Sequence, residues 1–150
     1  MNNEYERKFL LEYYPAIFSE FKKEHIKQWY ISKPTDTISI RVRLYDDGRC
    51  YLDLKRGYGM ERYEYGCKCS YDDIKDLLYD VACVEKDRFK LHFNNFLLII
   101  DEFQHGLRLV EIESDDLTLI QNFEPFDWMG REVTNDREYT NNWIAYNDNS

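Results

Sequence analysis

Charged and apolar residues alternate with period two along one short segment of this chain after another, a pattern that few folds can use. In a strand conformation, Glu4-Tyr5-Glu6-Arg7-Lys8 puts Glu4, Glu6 and Lys8 on one face and Tyr5, Arg7 and Phe9 on the other. Ile38 to Leu44 sets Arg41 and Arg43 against Ile40, Val42 and Leu44, and Tyr51 to Lys55 sets Asp53 and Lys55 against Leu52 and Leu54. Arg62 and Glu64 oppose Tyr63 and Tyr65; Lys86, Arg88 and Lys90 align in the next segment. Asp101 takes one face of Leu97 to Phe103, and Glu111 and Glu113 oppose Val110 and Ile112. The pattern predicts a set of antiparallel strands, with Asp47-Gly48 as a hairpin turn.

An antiparallel sheet ordinarily scatters charges of both signs over its solvated face. Here they are sorted: Arg41 with Arg43 and Lys86 with Arg88 are purely basic, Glu111 with Glu113 is purely acidic, and Glu4, Glu6 and Lys8 combine both. If the sheet closes with these faces inward, the lumen holds an acidic patch suited to Mg²⁺ or Mn²⁺ beside a basic patch suited to phosphate. An open sheet with a charged exposed face predicts the same alternation, so spacing alone leaves closure open.

Helices are expected between and after the strands. Pro15 suits the first turn of a helix running to about His25, with Ile17, Phe18 and Phe21 as its apolar stripe. Ser70 and Asp73 have capping-box spacing ahead of Ile74, Leu77, Leu78 and Val81, which predicts a second helix over 71–83. Short helices are expected after Asp115 and near Tyr139, and a frayed polar tail over 147–150.

The 150 residues, 43% hydrophobic, fit a single domain spanning 1–150. A formal charge of -9 excludes a nucleic-acid-coating surface, so basic residues that bind anions must be gathered locally. The longest apolar run, Phe96 to Ile100, is too short to span a bilayer, and no signal-peptide pattern opens the chain, which leads us to expect a cytoplasmic protein with no membrane partner. Cys50, Cys67, Cys69 and Cys83 lack metal-ribbon spacing and read as reduced thiols; His25, His92 and His105 are dispersed.

The ordered motifs resemble those of the CYTH domain, or triphosphate tunnel metalloenzyme, superfamily. Glu4, Glu6 and Lys8 form its E-x-E-x-K signature, Gln28-Trp29-Tyr30-Ile31 resembles Q-G-Y-I, and Arg41-Val42-Arg43 resembles R-V-R. Tyr51 to Lys55 resembles the strand ending in a phosphate-binding lysine, Arg62-Tyr63-Glu64 the start of R-x-E-x-E, and Lys86-Asp87-Arg88-Phe89 the K-x-R-Y motif. Asp101-Glu102-Phe103, then Gly106-Leu107 through Glu113, resemble D-x-F and G-L-x-x-x-E-x-E; Trp128 to Thr134 resembles the ending of the small bacterial members. Gly66 departs from the second glutamate of R-x-E-x-E, where it is expected to weaken a metal site or shift its preferred ion, and Trp29 from the glycine of Q-G-Y, where it is expected to narrow the tunnel mouth or reposition Tyr30.

The resemblance implies an α+β, mainly β fold: a closed eight-stranded antiparallel barrel with flanking helices, working as a monomer or homodimer. It implies divalent-metal-dependent hydrolysis of inorganic tripolyphosphate, and of nucleoside triphosphates. The alternatives on the same fold are a class IV adenylate cyclase, a thiamine triphosphatase, or a polyphosphate- or nucleotide-binding module without turnover. The implied metal ligands are Glu4, Glu6, Glu64, Asp101, Glu111 and Glu113, for Mg²⁺ or Mn²⁺, with Ca²⁺ as an activating or inhibitory substitute. Triphosphate binding falls to Lys8, Arg41, Arg43, Lys55, Arg62, Lys86 and Arg88, and catalysis to Glu6, Lys8, Tyr30 and Lys86. Trp128, Arg131 and Glu132 read as structural, in a C-terminal segment expected to plug or brace one barrel end.

Overall fold

The computed structural model describes residues 2–57 and 59–147, with side chains from Glu4 onward. Its strands are β1 (Asn2–Leu11), β2 (Glu24–Tyr30), β3 (Ile38–Tyr45), β4 (Cys50–Arg56), β5 (Glu61–Lys68), β6 (Cys83–Phe93), β7 (Phe96–Phe103), β8 (Arg108–Ser114) and β9 (Met129–Glu132). They are hydrogen-bonded in the order β5-β4-β3-β2-β6-β7-β8-β1, and β1 pairs back onto β5 from Asn2↔Glu64 to Tyr5↔Glu61. Eight antiparallel strands therefore close into a barrel. Strand β1 gives one edge to β8 and shares the other, with β5 at its start and β9 at Phe9 and Leu11. The turns follow local chemistry: Gly48 in the β3–β4 hairpin has φ +95°, and Asn94, in the two-residue β6–β7 turn, has φ +50°.

The charged faces point inward, so the usual apolar-in, polar-out arrangement of a barrel is inverted. One apolar cluster lies outside β1, β6, β7 and β8, where Phe9, Phe89, Leu98, Ile100, Val110 and Ile112 are covered by Phe18, Ile120, Phe123 and Met129. A second lies outside β2, β3 and β4, where Trp29, Val42 and Cys50 are covered by Leu78. A third closes one end of the lumen, with Val84, Phe103 and Leu109 packed against Ile144 and Ala145. Each fully buried large side chain contributes about 1.5–3 kcal/mol, so the flanking segments are what allow the lumen to stay polar.

Those segments are shorter than the sequence predicts. In place of a helix from Pro15 to His25 there is a 3₁₀ turn at Ala16–Glu20, because Glu24 and His25 are taken into β2 opposite Arg88 and Asp87 of β6. Phe18 is buried, but Ile17 is 60% exposed. In place of a helix over 71–83 there are α1 (Tyr71–Ile74) and a 3₁₀ turn at Lys75–Leu78, because Cys83 pairs with Trp29 at the start of β6. Ser70 precedes α1 without a side-chain capping bond. The helix expected after Asp115 is α2 (Leu117–Gln121), capped by the Asp116 carboxylate on the Thr118 and Leu119 N–H groups. Near Tyr139 lie a 3₁₀ turn at Arg137–Tyr139 and α3 (Asn141–Asn147); of the tail expected to fray, residues 148–150 lie outside the described residues. Among the described residues, no helix is long and apolar enough to cross a membrane.

Candidate active site

The alternation of β1 turns Glu4, Glu6 and Lys8 into the lumen, and register supplies their neighbours. Glu6 stands opposite Glu113, and Lys8 opposite Glu111, on β8; Glu4 stands opposite Arg62 on β5. Glu4, Glu6 and Glu113 bring one carboxylate oxygen each within 4.8 Å of one another. Glu6 is 1% exposed and Arg62 Nε lies 2.6 Å from its Oε1, yet neither Glu6 oxygen accepts a well-aligned hydrogen bond among the described residues.

Electrostatics in this corner is unbalanced. Burial, and then the charges of Glu4, Glu111 and Glu6, push the Glu113 carboxyl up to about 10. Burial also raises Glu4, against the pull of Lys55. Glu6 goes the other way: burial opposes its ionisation, but Arg62, Lys55 and Lys8 hold it well below the usual carboxylate range. A trio of converging carboxylates, one of them pushed well up by burial and its neighbours, with orphaned oxygens on Glu6, has the hard oxygen donors and negative field that a small divalent cation requires. These residues fit the metal that the superfamily resemblance implies.

The other walls are cationic. Arg41, Arg43, Lys55, Arg62 and Arg88 line, with Lys8, Glu4, Glu111 and Glu113, a chamber of about 430 Å³. Arg88 is locked by Asp101, which accepts from its Nε at 2.7 Å and from its Nη2 at 2.8 Å. Arg41 donates to Asp53 and Glu64, both at 3.0 Å. Arg43 donates Nε to Gln28 Oε1 at 2.8 Å, and burial beside Arg41 and Arg88 lowers its pKa. It is a cation held among cations, which an anion in the chamber relieves. Tyr30 lines the same chamber, and its hydroxyl oxygen accepts from Gln28 Nε2 at 2.9 Å.

Five residues expected in the site stand apart from the trio or from the chamber. Asp101 does not join the carboxylate trio, since both its oxygens are engaged by Arg88 and Lys86. Lys86 does not line the chamber: its ammonium is spent on Asp101 Oδ2 at 2.8 Å and Asn141 Oδ1 at 2.7 Å, beside the Phe103 ring. Glu111 and Glu64 face the lumen outside the trio, with Lys8 Nζ 3.6 Å from Glu111 and Arg41 Nη2 on Glu64, whose carboxyl is lowered to about 2 by Lys55 and other neighbours despite its burial. Trp29 is not in the tunnel at all; it lies outside the barrel, stacked on Tyr71 at 5.7 Å.

Sequence reasoning missed some lining residues. Lys90 lines the chamber and continues the spacing of Lys86 and Arg88, a signal already present in the strand. Arg137, Thr140, Asn141 and Asn142 come from the C-terminal segment, where no periodicity singles them out. That segment does brace one end: Tyr139 O accepts from Lys8 Nζ at 3.0 Å, and Arg131 pairs with Asp136 at 2.9 Å rather than reaching inward. Glu132 pairs with Arg7 at 2.8 Å on the outside.

No family model matches the chain. It is 34% identical to an inorganic triphosphatase of Acetivibrio thermocellus, over 98% of this chain and 96% of that one. It is 32% identical to an inorganic triphosphatase of Nitrosomonas europaea, over 95% and 96%. The crystal structure of an inorganic triphosphatase superposes with a TM-score of 0.69 at 30% identity, covering 97% of this chain and 95% of that one. A Pyrococcus horikoshii protein at 20% identity, with a TM-score of 0.61 over 79% and 83%, shares the fold. With the closed barrel and the motif order, these similarities show that the chain belongs to the inorganic triphosphatases of the CYTH, or triphosphate tunnel metalloenzyme, superfamily.

Proposed function

We propose that this chain is a divalent-metal-dependent hydrolase that cleaves inorganic tripolyphosphate at a terminal phosphoanhydride bond, with nucleoside triphosphates as secondary substrates. The observation that carries this reading is that Glu4 and Glu113 of the carboxylate trio and a wall of Arg41, Arg43, Lys55 and Arg88 open on one chamber. A polyanion that arrives with a cation satisfies both.

When bound, Mg²⁺ or Mn²⁺ supplies neutralisation of phosphate charge and acidification of water. Glu4, Glu6 and Glu113 would hold it, with Arg62 keeping Glu6 ionised. Arg41, Arg43 and Arg88 bind phosphate oxygens, and because Asp53, Glu64 and Asp101 already fix the guanidinium planes of Arg41 and Arg88, little ordering remains to be done on binding. Water attacks the terminal phosphorus in line; the P–O bond to the bridging oxygen breaks, giving orthophosphate and pyrophosphate. Negative charge develops on the leaving oxygen, and preorganised cations stabilise it. The Tyr30 hydroxyl, whose oxygen already accepts from Gln28, has its proton to donate towards the phosphate.

The test is phosphate release from tripolyphosphate, ATP and thiamine triphosphate with Mg²⁺, Mn²⁺ or Ca²⁺, for wild type and for Glu6→Gln, Lys8→Ala and Arg43→Ala. We expect tripolyphosphate to be turned over fastest and each variant to lose on the order of 100-fold. Binding without phosphate release would point instead to a module without turnover, and pyrophosphate with a cyclic nucleotide to a cyclase.

A further inference from the structure

Gly66 sits inside β5, where glycine weakens a strand and marks a close approach. Its backbone does not call for glycine, since its φ lies outside the left-handed region; space does. A Cβ at position 66 lies 2.2 Å from Asp53 Oδ1, nearer than any non-bonded contact allows. Asp53 is the cross-strand partner of Gly66 on β4, and it is 7% exposed on the lumen side. Its Oδ2 accepts from Arg41 Nε at 3.0 Å, while Arg41 Nη2 donates to Glu64 Oε1 at 3.0 Å. Arg41 is thus held at two of its guanidinium nitrogens by carboxylates from adjacent strands.

We propose that Asp53 is a positioning residue for Arg41 in triphosphate binding, and that Gly66 is the vacancy in β5 that admits it. A guanidinium recognises phosphate oxygens through a planar fork, so its roll about the Nε bond has to be set before binding. The Glu64 bond at Nη2 and the Asp53 bond at Nε together fix that roll, and without Asp53 only one of the two anchors remains. The strand that lacks a side chain at 66 therefore contributes through its neighbour. This inference rests on the triphosphatase reading for its substrate, but its geometry stands on Asp53, Gly66 and Arg41 alone.

Double-mutant cycles test it, read as KM and kcat for tripolyphosphate and, without turnover, as Kd for tripolyphosphate by calorimetry. Asp53→Ala is expected to raise KM and Kd about tenfold with a smaller effect on kcat, as loss of a group that orients a ligand-binding side chain does. Gly66→Ala, which pushes the Asp53 carboxylate off Arg41, is expected to match it, and the double variant to be no worse than Asp53→Ala. In an Arg41→Ala background, Asp53→Ala is expected to change neither constant further, a result that a merely structural role would not give. Multiplying effects in either cycle would overturn the proposal. Should Gly66→Ala fail to fold, the Asp53 and Arg41 cycle decides alone. A wild type that binds tripolyphosphate and leaves it intact would overturn the hydrolase reading, while the cycle in Kd still judges Asp53.

Discussion

At the scale of single residues, the lumen shows why burial and charge have to be read together. Asp101, 2% exposed, is the counter-charge for Lys86 and Arg88, each of them buried. Asp101→Asn leaves two cations facing an amide and is expected to cost about 3–5 kcal/mol, measured by urea unfolding at neutral pH. The pH dependence has a definite sign. Burial opposes ionisation of Asp101, but Arg88 and Lys86 hold its pKa well below the value of 3.8 expected for the unfolded chain. Its contribution is therefore present above about pH 4 and lost as pH falls through the lower folded value, so the variant should show a flatter decline in stability on acidification below pH 4. That Asp101 faces the lumen is legible from period two; that it pairs with both Lys86 and Arg88 is not, because register across three strands decides it.

At the scale of elements, most strands and the two short C-terminal helices were legible, and the two longer helices were not. Alternation of charge with apolar residues located β1, β3, β4, β5, β6, β7 and β8 from the sequence, since a strand face is a local property. The helices over 15–25 and 71–83 failed because pairing of β2 with β6 claims residues at their ends, a long-range demand that local periodicity does not carry. Capping shows the same divide. Ser70 has the right spacing but makes no side-chain capping bond, whereas the Asp116 carboxylate accepts from Thr118 N at 2.9 Å and Leu119 N at 3.3 Å. Asp116→Ala is expected to lower stability by about 1 kcal/mol, and Ser70→Ala by much less, in parallel thermal melts. Equal losses would contradict the assignment of the caps.

For the whole molecule, closure is the property that makes a site from scattered charges. Spacing alone could not separate a barrel from an open sheet; the pairing of β1 with β5 does, and it brings Glu4 beside Arg62 and places β1 between the strands carrying Glu64 and Glu113. An acidic chain of net charge -9 thereby keeps a local wall of arginines for a polyanion while its carboxylates converge at one corner. The proposed hydrolysis depends on a metal held at this corner. Its most direct test is orthophosphate release from tripolyphosphate, titrated with Mg²⁺ after chelation, for wild type and Glu113→Gln. No release is expected without metal, recovery with Mg²⁺ in wild type, and a loss on the order of 100-fold in the variant. Metal-independent release, or a variant as active as wild type, would contradict it.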